Sequence, residues 1–153
     1  MNGLEELYQQ IILDAARERY GEGSLDAADG ESHQVNPSCG DEVTMRVKLS
    51  DDAARLDEIA WEGHGCSISQ ASISVMTEML EGIEVDEAMS LYDDFRAMMD
   101  ARGEALSEET LDRLEDASAF HGVSKFPMRI KCALLGWMAV RDATQQALTV
   151  KEK

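Results

Sequence analysis

The chain predicts an α+β fold: a small antiparallel β-sheet of about three strands packed against several α-helices. Two kinds of pattern predict it. Val43, Met45, Val47 and Leu49 alternate with Thr44, Arg46 and Lys48, and Ile59 and Trp61 alternate with Glu58, Ala60 and Glu62, which is the period of half-buried strands. On either side of them apolar residues recur at three- and four-residue spacing, the period of helices packed by one face. With 153 residues, 44% of them hydrophobic, the simplest organisation is one domain over residues 1–153 with an ordinary core.

Taken in order, Leu4 to Tyr20 reads as a helix, with Leu4, Leu7, Tyr8, Ile11, Ile12 and Ala15 on one side and a stop at Gly21-Glu22-Gly23. Gly23 to Gln34 is polar and loop-like, with a short edge strand expected near Ser32 to Val35 and a turn at Asn36-Pro37. The two alternating stretches follow, joined by Ser50-Asp51-Asp52 and paired antiparallel. That pairing brings the residues before Val43 and those after Glu62 to one end of the sheet. Ser67 or Ser69 is the expected cap of a helix running to about Glu81 and stopped by Gly82, with Ile68, Ala71, Val75, Met76, Met79 and Leu80 as its apolar stripe. Val85 to Met99 is a further helix. Ala97 to Ser118 is an acidic excursion holding a short helix capped at Ser107, and Met89, Met98 and Met99 around it read as core filler. Gly122 to Pro127 is a loop, and Pro127 suits the first turn of a last helix running from Met128 to Leu148.

Fourteen basic residues stand against thirty-one acidic ones, a formal charge of −17. That balance excludes nucleic acid and anionic membrane as natural partners and favours metal cations or a basic protein surface. No apolar run is long enough to span a membrane. The opening residues, Met1 to Glu6, are acidic and lack the apolar core of a secretory leader, so a cytoplasmic location is expected.

Three cysteines, with 26 and 65 residues between successive ones, do not make a disulfide framework. In a reducing compartment they read as metal-binding or reactive thiols. Cys39 stands in Asn36-Pro37-Ser38-Cys39-Gly40-Asp41, Cys66 in Gly63-His64-Gly65-Cys66-Ser67-Ile68-Ser69, and Cys132 in Arg129-Ile130-Lys131-Cys132. Three thiolates and the Asp41 carboxylate form a donor set for tetrahedral Zn²⁺. Cys66 at a helix N-terminus favours its thiolate. Arg129 shares a helix face with Cys132, and with Lys125 and Lys131 it could offset the negative charge of such a centre. Spacing alone does not decide the matter. Metal motifs usually offer a close cysteine pair, and scattered cysteines in a domain of this kind are more often buried small hydrophobic residues. His64 alternates with Cys66 and is a competing candidate ligand or a solvent-facing residue, while His33 and His121 read as loop residues.

Those three motifs, in that order, resemble the SufU-type proteins of the NifU/IscU iron–sulfur assembly family, over most of the chain. IscU scaffolds are similar at Cys39, Asp41, Cys66 and Cys132 but carry a histidine directly before the third cysteine, where this chain has Lys131. SufU-type proteins also resemble this chain in having an insertion between the second and third cysteines, here near 97–118. Two departures stand out: Ala15 to Tyr20 lacks the His-Tyr and Pro-Arg-Asn pattern common after the family's first helix, and His64 stands where an acidic residue is usual. The resemblance implies a SufU/IscU-like fold and a zinc-dependent sulfurtransfer protein of the SUF pathway. Cys39, Asp41, Cys66 and Cys132 would be its metal ligands, and Cys39 with Arg129 its catalytic residues. Persulfide sulfur would come from a SufS-type cysteine desulfurase, a histidine of which displaces Cys39 from zinc, and would pass to a SufB-containing scaffold. The alternative it implies is an IscU-like scaffold building a transient 2Fe–2S cluster on the same four residues. A closed structural zinc site is a third reading.

Overall fold

The structure, a computed structural model, describes residues 3–38 and 40–151. Helix α1 (Gly3–Glu18) is followed by strands β1 (Gly30–Asn36), β2 (Asp41–Leu49) and β3 (Leu56–His64). Helices α2 (Ser67–Leu80), α3 (Val85–Asp100) and α4 (Glu108–Leu114), a 3-10 helix (Glu115–Lys125) and helix α5 (Pro127–Lys151) complete the chain. The architecture is the expected α+β arrangement, a three-stranded antiparallel sheet in the order β1-β2-β3 with helices against one face.

Strand β2 alternates strictly. Asp41, Val43, Met45, Val47 and Leu49 are buried, and Glu42, Thr44, Arg46 and Lys48 are only partly so. The inner face packs on α5, which lies across β1 and β2 and also against α2. The fit to α5 is close enough to require glycine at the start of β1: a Cβ on Gly30 would stand 1.9 Å from Ala143 O. Phe95 and Trp137 stack with ring centroids 4.5 Å apart at the centre of the core, and Phe120 meets Phe95 edge-on at 6.1 Å. Met98 and Met99 are wholly buried there and Met89 packs against the same cluster, so the methionines do fill the core.

Several expectations need correction. Helix α1 ends at Glu18, before Gly21, because Arg19 takes up a left-handed conformation with φ of 48°. Helix α2 is not one-sided: ten of its residues, from Ser69 through Thr77 and Leu80, are buried, because it lies between α1 and α5. Small side chains make this tolerable, and Ser72 Oγ donates to Ala133 O of α5 at 2.7 Å. Residues 122–125 are the end of the 3-10 helix, not a loop, and they carry His121 beside them, while His33 belongs to β1. Among the described residues no helix is long and apolar enough to cross a membrane.

Candidate metal centre

The register of the sheet assembles the centre. Asn36 pairs with Asp41 where β1 turns into β2, and Glu42 pairs with His64 where β3 runs out toward α2. Asp41, at the first inward position of β2, and Cys66, at the start of α2, therefore meet at the same end of the sheet. Cys132, in the second turn of α5, arrives from beneath. One oxygen of Asp41 and the sulfurs of Cys66 and Cys132 all lie within 4.8 Å of one another. Cys39 lies outside the described residues; its neighbours Ser38 and Gly40 belong to the turn that leads into Asp41.

Cys66 is itself the N-cap of α2, displacing the expected serines: its sulfur accepts from Ser69 N–H at 3.5 Å. Its own N–H donates to Asp41 Oδ1 at 2.8 Å, and its sulfur lies 4.0 Å from Asp41 Oδ2. Gly65 makes that approach possible, since a Cβ there would stand 2.3 Å from Asp41 Oδ1 and 2.8 Å from Ser69 Oγ. The Cys132 sulfur, 1% exposed as a residue, receives the Asn36 amide at 3.9 Å and reaches Met128 O at 3.7 Å. Asn36 is the participant that reading the sequence missed. It opens the first motif and is buried at a strand end, a place where a loop asparagine would normally face water.

The donor set fits a divalent cation. Asp41 is 0% exposed, and a buried carboxylate is costly unless it is paired or coordinates a metal. Two thiols and a carboxylate oxygen at mutual distances under 4.8 Å are the ligand chemistry of zinc, with room in the tetrahedron for a fourth donor.

The remaining predicted residues fall as follows. His64 is 72% exposed along its side chain and points to the outer face, with Nε2 3.2 Å from Glu42 Oε1; the three-residue group does not include it. Arg129 is exposed, one turn before buried Cys132. It lines a mostly apolar groove of about 690 Å³ that also takes in Ile12, Leu13, Ile68 and Phe126 and runs up to Ser67, the neighbour of Cys66. Phe126 and Met128 stand 59% and 58% exposed near it. The aliphatic stem of Lys125 lies over Gly103, where an added Cβ would meet it at 2.5 Å.

A model of the NifU-like N-terminal domain family matches residues 7–133. The chain is 39% identical over 140 residues to the zinc-dependent sulfurtransferase SufU of Bacillus subtilis, covering 90% of this chain and 88% of that protein. It is 35% identical over 148 residues to the iron–sulfur cluster assembly scaffold protein IscU of Streptococcus pyogenes, covering 96% and 88%. Among solved structures it superposes on a protein of Fervidobacterium islandicum described as an iron–sulfur cluster assembly scaffold for the SUF system. The TM-score there is 0.79, with 32% identity and coverage of 91% of this chain and 97% of that one. It also superposes on the N-terminal part of a nitrogen-fixing NifU-like protein of Brucella abortus, with a TM-score of 0.81, 28% identity and coverage of 95% and 96%.

Proposed function

The chain belongs to the NifU-like N-terminal domain family of iron–sulfur cluster assembly proteins, and within it we propose that it is a zinc-dependent sulfur carrier that accepts persulfide sulfur on Cys39. The observation that carries this reading is the convergence of buried Asp41, Cys66 and Cys132 within 4.8 Å, at the sheet end where the turn bearing Cys39 enters β2. Zinc bound by Asp41, Cys66, Cys132 and Cys39 would supply a strong Lewis acid that keeps the thiols deprotonated.

The transfer itself is a thiol–disulfide exchange. The Cys39 thiolate attacks the outer sulfur of a cysteine persulfide on a SufS-type desulfurase, and the new S–S bond forms on Cys39 as the old one breaks. The desulfurase cysteine then leaves as a thiolate, with no net oxidation. Arg129, exposed beside the apolar groove, supplies a cation for the anionic sulfur or for the docking partner. The groove next to Cys66 offers the partner an apolar seat, and the sulfur passes on to a SufB-containing scaffold in the cytoplasm. In this reading residues 1–153 act as one domain and the acidic segment 97–118 is an insertion on it.

Lys131 supports the carrier over the scaffold, since the resemblance to IscU scaffolds implies a histidine directly before the third cysteine. The second reading, an IscU-like scaffold holding a transient 2Fe–2S cluster on the same four residues, is favoured by the 35% identity to the streptococcal scaffold. The deciding experiment pairs native mass spectrometry of the anaerobically purified protein with a desulfurase assay. The carrier predicts one zinc per chain, and stimulation of cysteine-dependent sulfide release that Cys39→Ser abolishes while the fold persists. A mass corresponding to two irons and two sulfides, with cluster absorption after reconstitution, would establish the scaffold instead.

A further inference from the structure

Helix α1 does not end on a glycine. Arg19 follows its last residue with φ of 48°, in the left-handed region where glycine is the usual occupant, and its N–H still closes on Ala15 O at 3.2 Å. A side chain kept in that conformation against the crowding of its own Cβ should do something glycine cannot.

The Arg19 guanidinium reaches three other parts of the fold. Nη2 donates to Gly63 O of β3 at 2.9 Å. Nη1 donates to Gln70 Oε1 of α2. The guanidinium carbon lies 4.9 Å from the centroid of the Trp61 ring. Nε donates to Glu22 Oε2 at 2.7 Å, and that hydrogen bond lowers the Glu22 carboxyl below its ordinary pKa.

Gly63 and Gln70 lie three residues before and four residues after Cys66. Gln70 N–H donates to Cys66 O at 3.0 Å, and Gln70 Nε2 donates to Ser69 Oγ at 3.2 Å. The Ser69 N–H is the one directed at the Cys66 sulfur. A planar cation with donors in a fixed fork thus joins both arms of the turn that carries Cys66.

We propose that Arg19 is a positioning residue for the metal centre: by bridging Gly63 and Gln70 it fixes the β3–α2 turn and holds the Cys66 thiol against Asp41 and Cys132. This rests on the reading of those three residues as ligands.

The test compares wild type, Arg19→Gly, Arg19→Lys and Gln70→Leu as chains of residues 1–153, each both zinc-loaded and zinc-free. Glycine removes the guanidinium but relaxes the left-handed backbone, so zinc-free Arg19→Gly melts within about 4 °C of zinc-free wild type, or above it. Zinc release to a chromophoric chelator is nonetheless expected to be about tenfold faster, the scale on which residues supporting ligands act. Arg19→Lys, which lacks the fork, does not restore it. Gln70→Leu, cutting the other arm, raises the release rate in the same direction, and cobalt-substituted forms of both show altered d–d absorption. Release at the wild-type rate in Arg19→Gly and Gln70→Leu overturns the inference. So does faster release that appears only alongside an equally lowered melting temperature of the zinc-free chain, which would make Arg19 a structural residue. A wild-type chain that takes up no zinc or cobalt removes the ligand reading itself, and this inference with it.

Discussion

Asp41 and Glu42 are consecutive carboxylates at the start of one strand, and they do different chemistry. Asp41 faces inward, fully buried, with a backbone N–H on one oxygen and two thiols close by. Glu42 faces outward, with His33 Nε2 2.9 Å from one oxygen and His64 Nε2 3.2 Å from the other, all three side chains well exposed. The two-residue period of a strand separates them, and the surrounding medium makes the separation matter. Inside, a carboxylate without a compensating positive charge is costly. Outside, water and salt screen such pairs until each is worth about 0–1 kcal/mol. In a chain with thirty-one acidic residues, the face a side chain occupies, more than its type, decides which acid can serve as a ligand.

The sharpest way to break this comparison is to remove each carboxylate in turn. Asp41→Ala takes away a proposed ligand and leaves the Cys66 N–H without its acceptor. Zinc retention should fall by more than the roughly 10–100-fold that supporting residues command, while the zinc-free fold, relieved of a buried carboxylate with no cation beside it, should lose less than the about 1–3 kcal/mol that a stranded donor costs by itself. Glu42→Ala, one residue on, should leave zinc release unchanged and stability within about 0.5 kcal/mol. Chelator competition and denaturant melts of the two proteins side by side decide it. Equal zinc loss from both would mean that the outer face takes part in the centre.

A smaller effect separates the metal end of the inner layer from its far end. Gly30 and Gly65 are both too crowded for a Cβ, but against different neighbours. At Gly30 the obstacle is the backbone carbonyl of Ala143 at 1.9 Å, which belongs to α5 and cannot easily move. Gly30→Ala should cost about 2–3 kcal/mol of stability through strain, with zinc release unaltered in the folded fraction. At Gly65 the obstacles are the side-chain oxygens of Asp41 and Ser69, and φ is +159°, a backbone conformation that L side chains rarely adopt, so Gly65→Ala should also cost about 2–3 kcal/mol but in addition speed zinc release by displacing Asp41. Release that tracks stability identically in the two variants would erase the distinction.

What the sequence showed and what it hid follow from the same contrast. The alternation in 43–49 and 59–62 revealed the sheet and its inner face because burial acts on alternate residues. The pairing of the two strands then places Asp41 and Cys66 together. Helix α2 reads as one-sided because serine and threonine in its sequence look solvent-facing, whereas Ser69, Ser72, Ser74 and Thr77 are buried between α1 and α5. The cap at Cys66 was invisible because sulfur is a weak acceptor and two serines nearby are better candidates by type. Arg19 was hidden for a related reason: a left-handed arginine is set by partners 44 and 51 residues away, and no local pattern records them. The 3-10 segment over 115–125 had no periodic signature of its own, since its residues are held by packing against α1, α3 and α5.

The smallest expected effect lies wholly on the outer face. Arg46, at the centre of β2, donates through Nε to Glu31 of β1 and through Nη1 to Glu62 of β3, each at 2.6 Å. Those hydrogen bonds, from Glu62 first and then Glu31, raise its pKa further above the ordinary arginine value, so it stays cationic throughout the working range. Arg46→Met keeps most of the aliphatic stem and deletes both pairs. Because the two glutamates are more than half exposed, the loss should be no more than about 1 kcal/mol. It should shrink further in about 1 M salt, where the screening length falls to about 3 Å, and zinc release should be unchanged at either ionic strength. Thermal melts at low and high salt measure the first part and chelator competition the second. A loss of several kcal/mol that ignores salt would mean that the outer ladder is a cooperative structural element, and the inner face would no longer be the sole determinant of what this sheet can hold in place.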